Sequence, residues 1–203
     1  MSGSKDKSAE RRERYRLQIL EAAEPIFAYS GFEGAKMQDV AAAAGISLNT
    51  LYSVFKGKLE LFAAVQEEQG RALLAAAQPL AAFTGDPVEM LETGVSGYIG
   101  FLMDHPNFLR IHLFEQDAWA LGGRSRTDAQ RRQFEFGLRL FTDIYRLGLE
   151  RGVFVDDDPE LMAKMIIAQH QVLLAEYIKE GPDADRALYI ERAIVYLKRL
   201  IAK

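Results

Sequence analysis

Apolar residues recur along this chain at helical spacing, and no stretch sustains the period-two alternation of a half-buried strand. Ile19, Leu20, Ala23, Ile26 and Phe27 form one face of a helix predicted over about 11–29, which Gly31 stops. Met37, Val40, Ala41 and Ala44 repeat the pattern over barely two turns, and Gly45 closes that helix by adopting the left-handed conformation. Ile46 follows, then Ser47 as N-cap of a third helix whose inner face is Leu51, Val54 and Phe55. A long fourth helix is predicted over about 59–83. Breaks at Thr84–Pro87, His105–Asn107, Gly122–Ser125, Gly152–Pro159 and Gly181–Asp183 divide the remainder into five more. About nine helices and no sheet make an all-α fold.

Two helices have unusual faces. The eighth, about 159–179, carries Met162, Met165, Ile166, Ile167, Val172, Leu173, Leu174, Tyr177 and Ile178 in almost every direction, with no continuous polar face. Such a helix is buried on two sides: either it is central to a monomer, or a second subunit covers what its own core does not. The ninth, with Tyr189, Ala193, Ile194, Tyr196, Leu197, Leu200 and Ile201, offers a similarly wide stripe. An antiparallel pair from each of two subunits would close a four-helix bundle. The fifth carries Gly94, Gly97 and Gly100 at i, i+3 and i+6, at about 1 kcal/mol each relative to alanine. Either a neighbouring helix packs unusually close to this stripe, or it leaves room for a ligand.

Composition narrows the classes. With 203 residues, 49% of them hydrophobic, the chain buries a core without a metal or disulfide staple, and it has no cysteine for thiolate chemistry or zinc. The polar N-terminus lacks a secretory pattern and no apolar run spans a bilayer, so neither export nor a membrane partner is expected, and a reducing cytoplasm is. Residues 1–58 hold 9 Lys+Arg against 7 Asp+Glu, while residues 59–203 hold 16 against 22. A basic end on an acidic body fits contact with nucleic acid through that end, and fits equally a solvated terminus.

The chemistry concentrates in helices two and three. A short helix, a glycine turn, a buried turn residue and a second short helix describe a helix-turn-helix. On helix three Asn49 and Ser53 point away from the apolar face, flanked by Leu48, Thr50 and Tyr52. These uncharged amide and hydroxyl groups suit base edges and phosphate oxygens, and Leu48 suits a thymine methyl. Lys56 and Lys58 stand at the helix end, where a phosphate strand would pass.

These residues resemble the DNA-binding domain of the tetracycline-repressor (TetR) family of bacterial transcription regulators. The matching positions are Ile19-Leu20, Ala22-Ala23, Phe27, Gly31-Phe32, Ala44-Gly45-Ile46-Ser47, Thr50-Leu51-Tyr52, Phe55, Lys58 and Leu61. The resemblance implies a DNA-binding domain over 11–58, its helix-turn-helix within about 36–55, and an effector-binding and dimerisation domain over 59–203. It places the recognition helix at Ser47–Phe55, with Thr50, Tyr52, Ser53 and Lys58 at the usual contacts. Four departures stand out: Ala35 replaces a capping threonine, Leu48-Asn49 replaces Lys-Gly, Val54 replaces an aromatic residue, and Leu59 replaces a glutamate. Operator preference should therefore differ from that of typical relatives. The resemblance also implies a homodimer on double-stranded operator DNA, and repression relieved by a small molecule that separates the two reading helices.

Helices four to seven would then form the effector chamber. Tyr98, Phe101, Trp119 and Phe134 are its candidate walls, and His112, Glu115 and His170 the polar groups that orient a ligand. Aromatic walls with few polar groups suit an apolar or amphipathic molecule. A helical small-molecule-binding or metal-dependent enzyme-like protein is the alternative, with His105, His112 and Glu115 near one helix end. No phosphate-binding loop, nucleophile elbow or H-E-x-x-H motif supports catalysis, and no cofactor or metal is expected.

Overall fold

The structure, a computed structural model, describes residues 3–81, 85–114 and 127–203. Among them are nine α-helices and no strand: α1 (Gly3–Gly34), α2 (Met37–Ala43), α3 (Leu48–Val54), α4 (Lys58–Ala81), α5 (Pro87–Asp104), α6 (Pro106–Phe114), α7 (Asp128–Glu150), α8 (Pro159–Glu180) and α9 (Arg186–Ile201). Helix starts follow the capping residues. Asp86 Oδ1 accepts from Val88 N and Glu89 N ahead of Pro87, Asp158 Oδ1 from Leu161 N ahead of Pro159, and Thr127 and Gln130 form a reciprocal box.

The first helix differs from expectation at both ends. It is helical from Gly3 rather than from about residue 11, so the basic arm belongs to it. Gly31, at φ 65° and ψ 175°, interrupts it, and one further turn follows to Gly34. Only glycine adopts that backbone without strain.

Two apolar clusters form, and their boundary lies inside α4. Ile19, Leu20, Phe27, Val40, Leu51 and Phe55 pack with Leu61, Phe62 and Val65 of α4, whereas Leu73 of α4 joins the larger cluster of α5–α9. The stretch between them is fastened to α7. Thr127 Oγ1 donates to Gln66 Oε1 at 2.5 Å, and Gln133 Nε2 donates to Gln66 O at 3.1 Å. The Gln133 side chain occupies the space that a Cβ on Gly70 would need.

Helix α6 belongs to both clusters. Phe108 and Leu109 are buried in the larger one, but Ile111, 1% exposed, completes the N-terminal one against α1. Beside it Arg110 lies over the Tyr29 ring of α1, 4.9 Å from its centroid.

The glycine stripe of α5 divides by position. Gly97 is exposed, and a Cβ there would meet no described atom within 4 Å, so among the described residues no helix packs close against that position. Gly100 is buried, with a would-be Cβ 3.3 Å from Arg186 Nη2. That guanidinium of α9 donates to Gly100 O and forms a two-pronged pair with Asp104.

Two stability effects follow. Ile111→Ala should cost about 2–4 kcal/mol in urea unfolding, since the cavity opens where two helices meet. Gly97→Ala should stabilise by up to about 1 kcal/mol, because helix propensity improves while the added methyl points into open space. A destabilised Gly97→Ala would show that a neighbour does press on that face.

Candidate DNA-reading face and effector core

The turn between α2 and α3 is locked locally. Gly45 takes φ 64°, Gly45 N donates to Ala42 O, and Ile46 N donates to Ala41 O. Gln18 of α1 donates through Nε2 to Ala44 O at 2.7 Å, holding the turn to the first helix. Sequence periodicity did not single out Gln18, because its partner lies 26 residues away.

On α3 the proposed DNA-facing groups separate into two kinds. Ser47 Oγ accepts from Thr50 N at 3.1 Å and pairs with Thr50 Oγ1 at 2.8 Å, while Ser53 Oγ donates to Thr50 O at 2.6 Å. These hydroxyls organise the helix first and have only residual capacity for DNA. Asn49, Ser53 and Tyr52 are exposed, Tyr52 at 46%, and Leu48 is half-buried on the same helix. Asn49 and Tyr52 spend no side-chain hydrogen bond on other described residues, which leaves their full capacity for a base edge or a phosphate. Helix α2 starts after Lys36 with no side-chain cap, and Ala35 beside it is buried.

The two lysines differ. Lys56 is exposed, with its backbone N donating to Glu60 Oε2 at 2.6 Å. Thus Glu60 reaches back at the start of α4, while Leu59 stands 53% exposed. Lys58, expected at a phosphate, donates through Nζ to Glu33 O at 2.9 Å and Ala35 O at 3.1 Å, 4.8 Å from the Phe32 ring centroid. Two of its three protons hold the end of α1 to the start of α4, leaving one for DNA.

In the larger cluster the structure brings together five of the candidate effector residues. Tyr98 of α5 lies 2.6 Å through its hydroxyl from His112 Nε2 of α6. The His170 ring of α8 is 6.0 Å from the Tyr98 ring and 5.9 Å from Phe141 of α7. Phe101 packs near them, 6.5 Å from Phe108, and stacks on His105 at 4.2 Å. Phe134 packs half-buried against the same cluster. Glu115 and Trp119 lie outside the described residues, as does the Gly122–Ser125 connection.

Burial governs the electrostatics. It lowers the His112 pKa to about 4 and that of His170 to about 3, and raises that of Tyr98. Both imidazoles are therefore neutral at physiological pH. His170 is 0% exposed, and neither ring nitrogen has a hydrogen-bond partner among the described residues. His105 donates through Nδ1 to Phe101 O at 2.7 Å in the tautomer protonated there, so it and His112 serve different partners. Among the described residues no group of three metal-ligating side chains converges, and no helix is long and apolar enough to cross a membrane.

The family of bacterial regulatory proteins, tetR family, matches residues 19–65. The chain is 31% identical over 106 residues to the HTH-type transcriptional activator FasR of Mycolicibacterium smegmatis, covering 52% of this chain and 48% of FasR. It is 26% identical over 160 residues to the HTH-type transcriptional repressor NicS of Pseudomonas putida, covering 79% and 75%. The chain thus spans about half the length of the first relative and three quarters of the second. The transcriptional regulator FadR from Bacillus subtilis in complex with stearoyl-CoA superposes with a TM-score of 0.72 at 18% identity, over 89% of this chain and 96% of that one.

The neutral histidines make stability depend on pH with a definite sign. An unfolded histidine titrates near about 6.5, above both folded values, so below that pH the unfolded chain binds more protons. Their contribution is full above about 6.5 and falls as pH drops, toward about 4 for His112 and about 3 for His170. Urea midpoints between about pH 7.5 and 5 should decline, and His170→Leu should make the decline shallower. A variant with the wild-type slope would contradict the assignment to His170.

Proposed function

We propose that this chain, which belongs to the TetR family of bacterial regulatory proteins through its N-terminal domain, represses transcription as a homodimer and leaves its operator when an apolar or amphipathic molecule enters the core of α5–α8. The observation that carries this reading is the double membership of α6. Phe108 and His112 face the core of the candidate effector residues, while Ile111 seals the DNA-reading domain. A ligand that displaces α6 cannot leave the second cluster unchanged, because close-packed interiors transmit shifts rather than absorb them.

Dimerisation accounts for the remaining surface. One side of α8 buries Met162, Ile166, Ile167, Leu173 and Leu174. Its other side exposes Leu161 at 51%, Met165 at 44% and Val172 at 64%, and α9 alongside exposes Leu188, Val195 and Tyr196. Six large apolar side chains on two packed helices suit an isologous four-helix interface. Two copies then present two α3 helices to successive major grooves of a near-palindromic site. The stearoyl-CoA held by FadR of Bacillus subtilis, with its long apolar chain, supports an amphipathic effector for a chain of the same fold.

The direct test is selection of bound DNA from a random pool by the purified full chain, followed by competition with apolar and amphipathic compounds. Tyr52→Ala and Asn49→Ala should weaken binding to the selected site, and Asn49→Ala should relax discrimination at one base pair by about 1–3 kcal/mol if its contact is bidentate. Val172→Glu should convert the dimer to monomer in light scattering and abolish operator binding without unfolding the chain. Retained dimerisation would place the interface elsewhere.

A further inference from the structure

A buried polar atom normally has a partner, and a histidine with both nitrogens unpaired at zero exposure requires a reason. His170 lies within a helix whose buried neighbours are apolar, Ile166, Ile167, Leu173 and Leu174 among them. Across from it stand the rings of Tyr98 and Phe141. The Tyr98 hydroxyl, the polar atom on that ring, lies against His112 Nε2. Leaving a donor and an acceptor unsatisfied in such surroundings is costly, and that cost is recovered when a molecule supplies the missing partner.

Resting on the effector reading above, the geometry points to His170 as the hydrogen-bonding anchor for an uncharged oxygen function of the ligand, such as a hydroxyl or the carbonyl of a ketone, ester or thioester. A neutral imidazole offers one N–H and one lone pair. A hydroxyl can accept from the first or donate to the second, and a carbonyl accepts from the first. A carboxylate brought to the same point would lose its hydration and meet no cation among the described residues, since burial holds this ring neutral. An ammonium would likewise meet no anion among the described residues there. The charged end of an amphipathic effector therefore stays away from His170, while a neutral oxygen function reaches it.

Dodecanol, dodecanoate and dodecylammonium share a chain and differ in the charge of the end group, so they separate the alternatives. Binding of each to the full chain is measured at neutral pH by thermal unfolding and by release of the selected operator in fluorescence anisotropy. Dodecanol should bind about tenfold more tightly than either ion. His170→Leu should raise the melting temperature of the free protein and remove that advantage, and His170→Phe should do the same with a ring retained. The inference is overturned if either ion outbinds dodecanol, or if dodecanol binds both variants as it binds the wild type. A stabilised variant with unchanged dodecanol affinity marks His170 as a core residue only. If none of the three binds, the apolar-effector reading fails and this one with it; if the ions bind best, this one alone fails.

Discussion

Ile111 and His112 are consecutive residues that serve different cores. The first is buried against the helices that carry the proposed DNA-reading face, and the second lies against the Tyr98 hydroxyl within the body of the protein. A helix of nine residues, Pro106–Phe114, cannot satisfy both packings independently, because one rigid backbone fixes the angle between the two side chains. The position of the helix-turn-helix relative to α5–α9 is therefore set largely by how α6 seats. Arg110 on Tyr29 adds a contact on the same side as Ile111, and the Gln66–Thr127–Gln133 cluster fastens α4 at the other crossing between the two cores.

The other features sort around that constraint. The proposed DNA-reading face is built on α3, where Ser47 caps the helix and the hydroxyls are partly committed within the protein, which keeps α3 ordered before any DNA arrives. Lys58 works in the same direction by holding α1 to α4. In the body, by contrast, an unpaired imidazole is tolerated at the centre of an apolar cluster. Stability is thus concentrated where geometry must be preserved, and given up where a ligand is proposed to act.

Much of this was legible in the sequence where the determining signals are local. Gly45 and Ser47 act on the backbone within a few residues, so the helix-turn-helix and its outward face could be read from periodicity and caps. The two-sided apolar character of α8 was equally visible, and the structure shows which side is inside: Ile166 and Leu174 are buried where Met165 and Val172 are not. What failed to show depends on distant partners. The carbonyls that occupy Lys58 lie 23 and 25 residues back. Ile111 is simply another apolar position in a helix until α1 is placed beside it. The glycine stripe divides for the same reason: its spacing is regular, yet Gly97 is exposed while Gly100 admits Arg186 from α9, the close packing that one of its two readings expected. Periodicity tells which face is apolar, and only the packing tells what covers it.

If α6 joins the two functions energetically, the joining is measurable as a thermodynamic coupling between operator and ligand. The affinity of the protein for dodecanol is measured with and without saturating operator, in the wild type and in Ile111→Ala, at a temperature where both are folded. The account predicts that operator weakens dodecanol binding by the same factor by which dodecanol weakens operator binding, and that this factor collapses toward one in Ile111→Ala while dodecanol still binds the DNA-free variant. An undiminished coupling factor in that variant would contradict it.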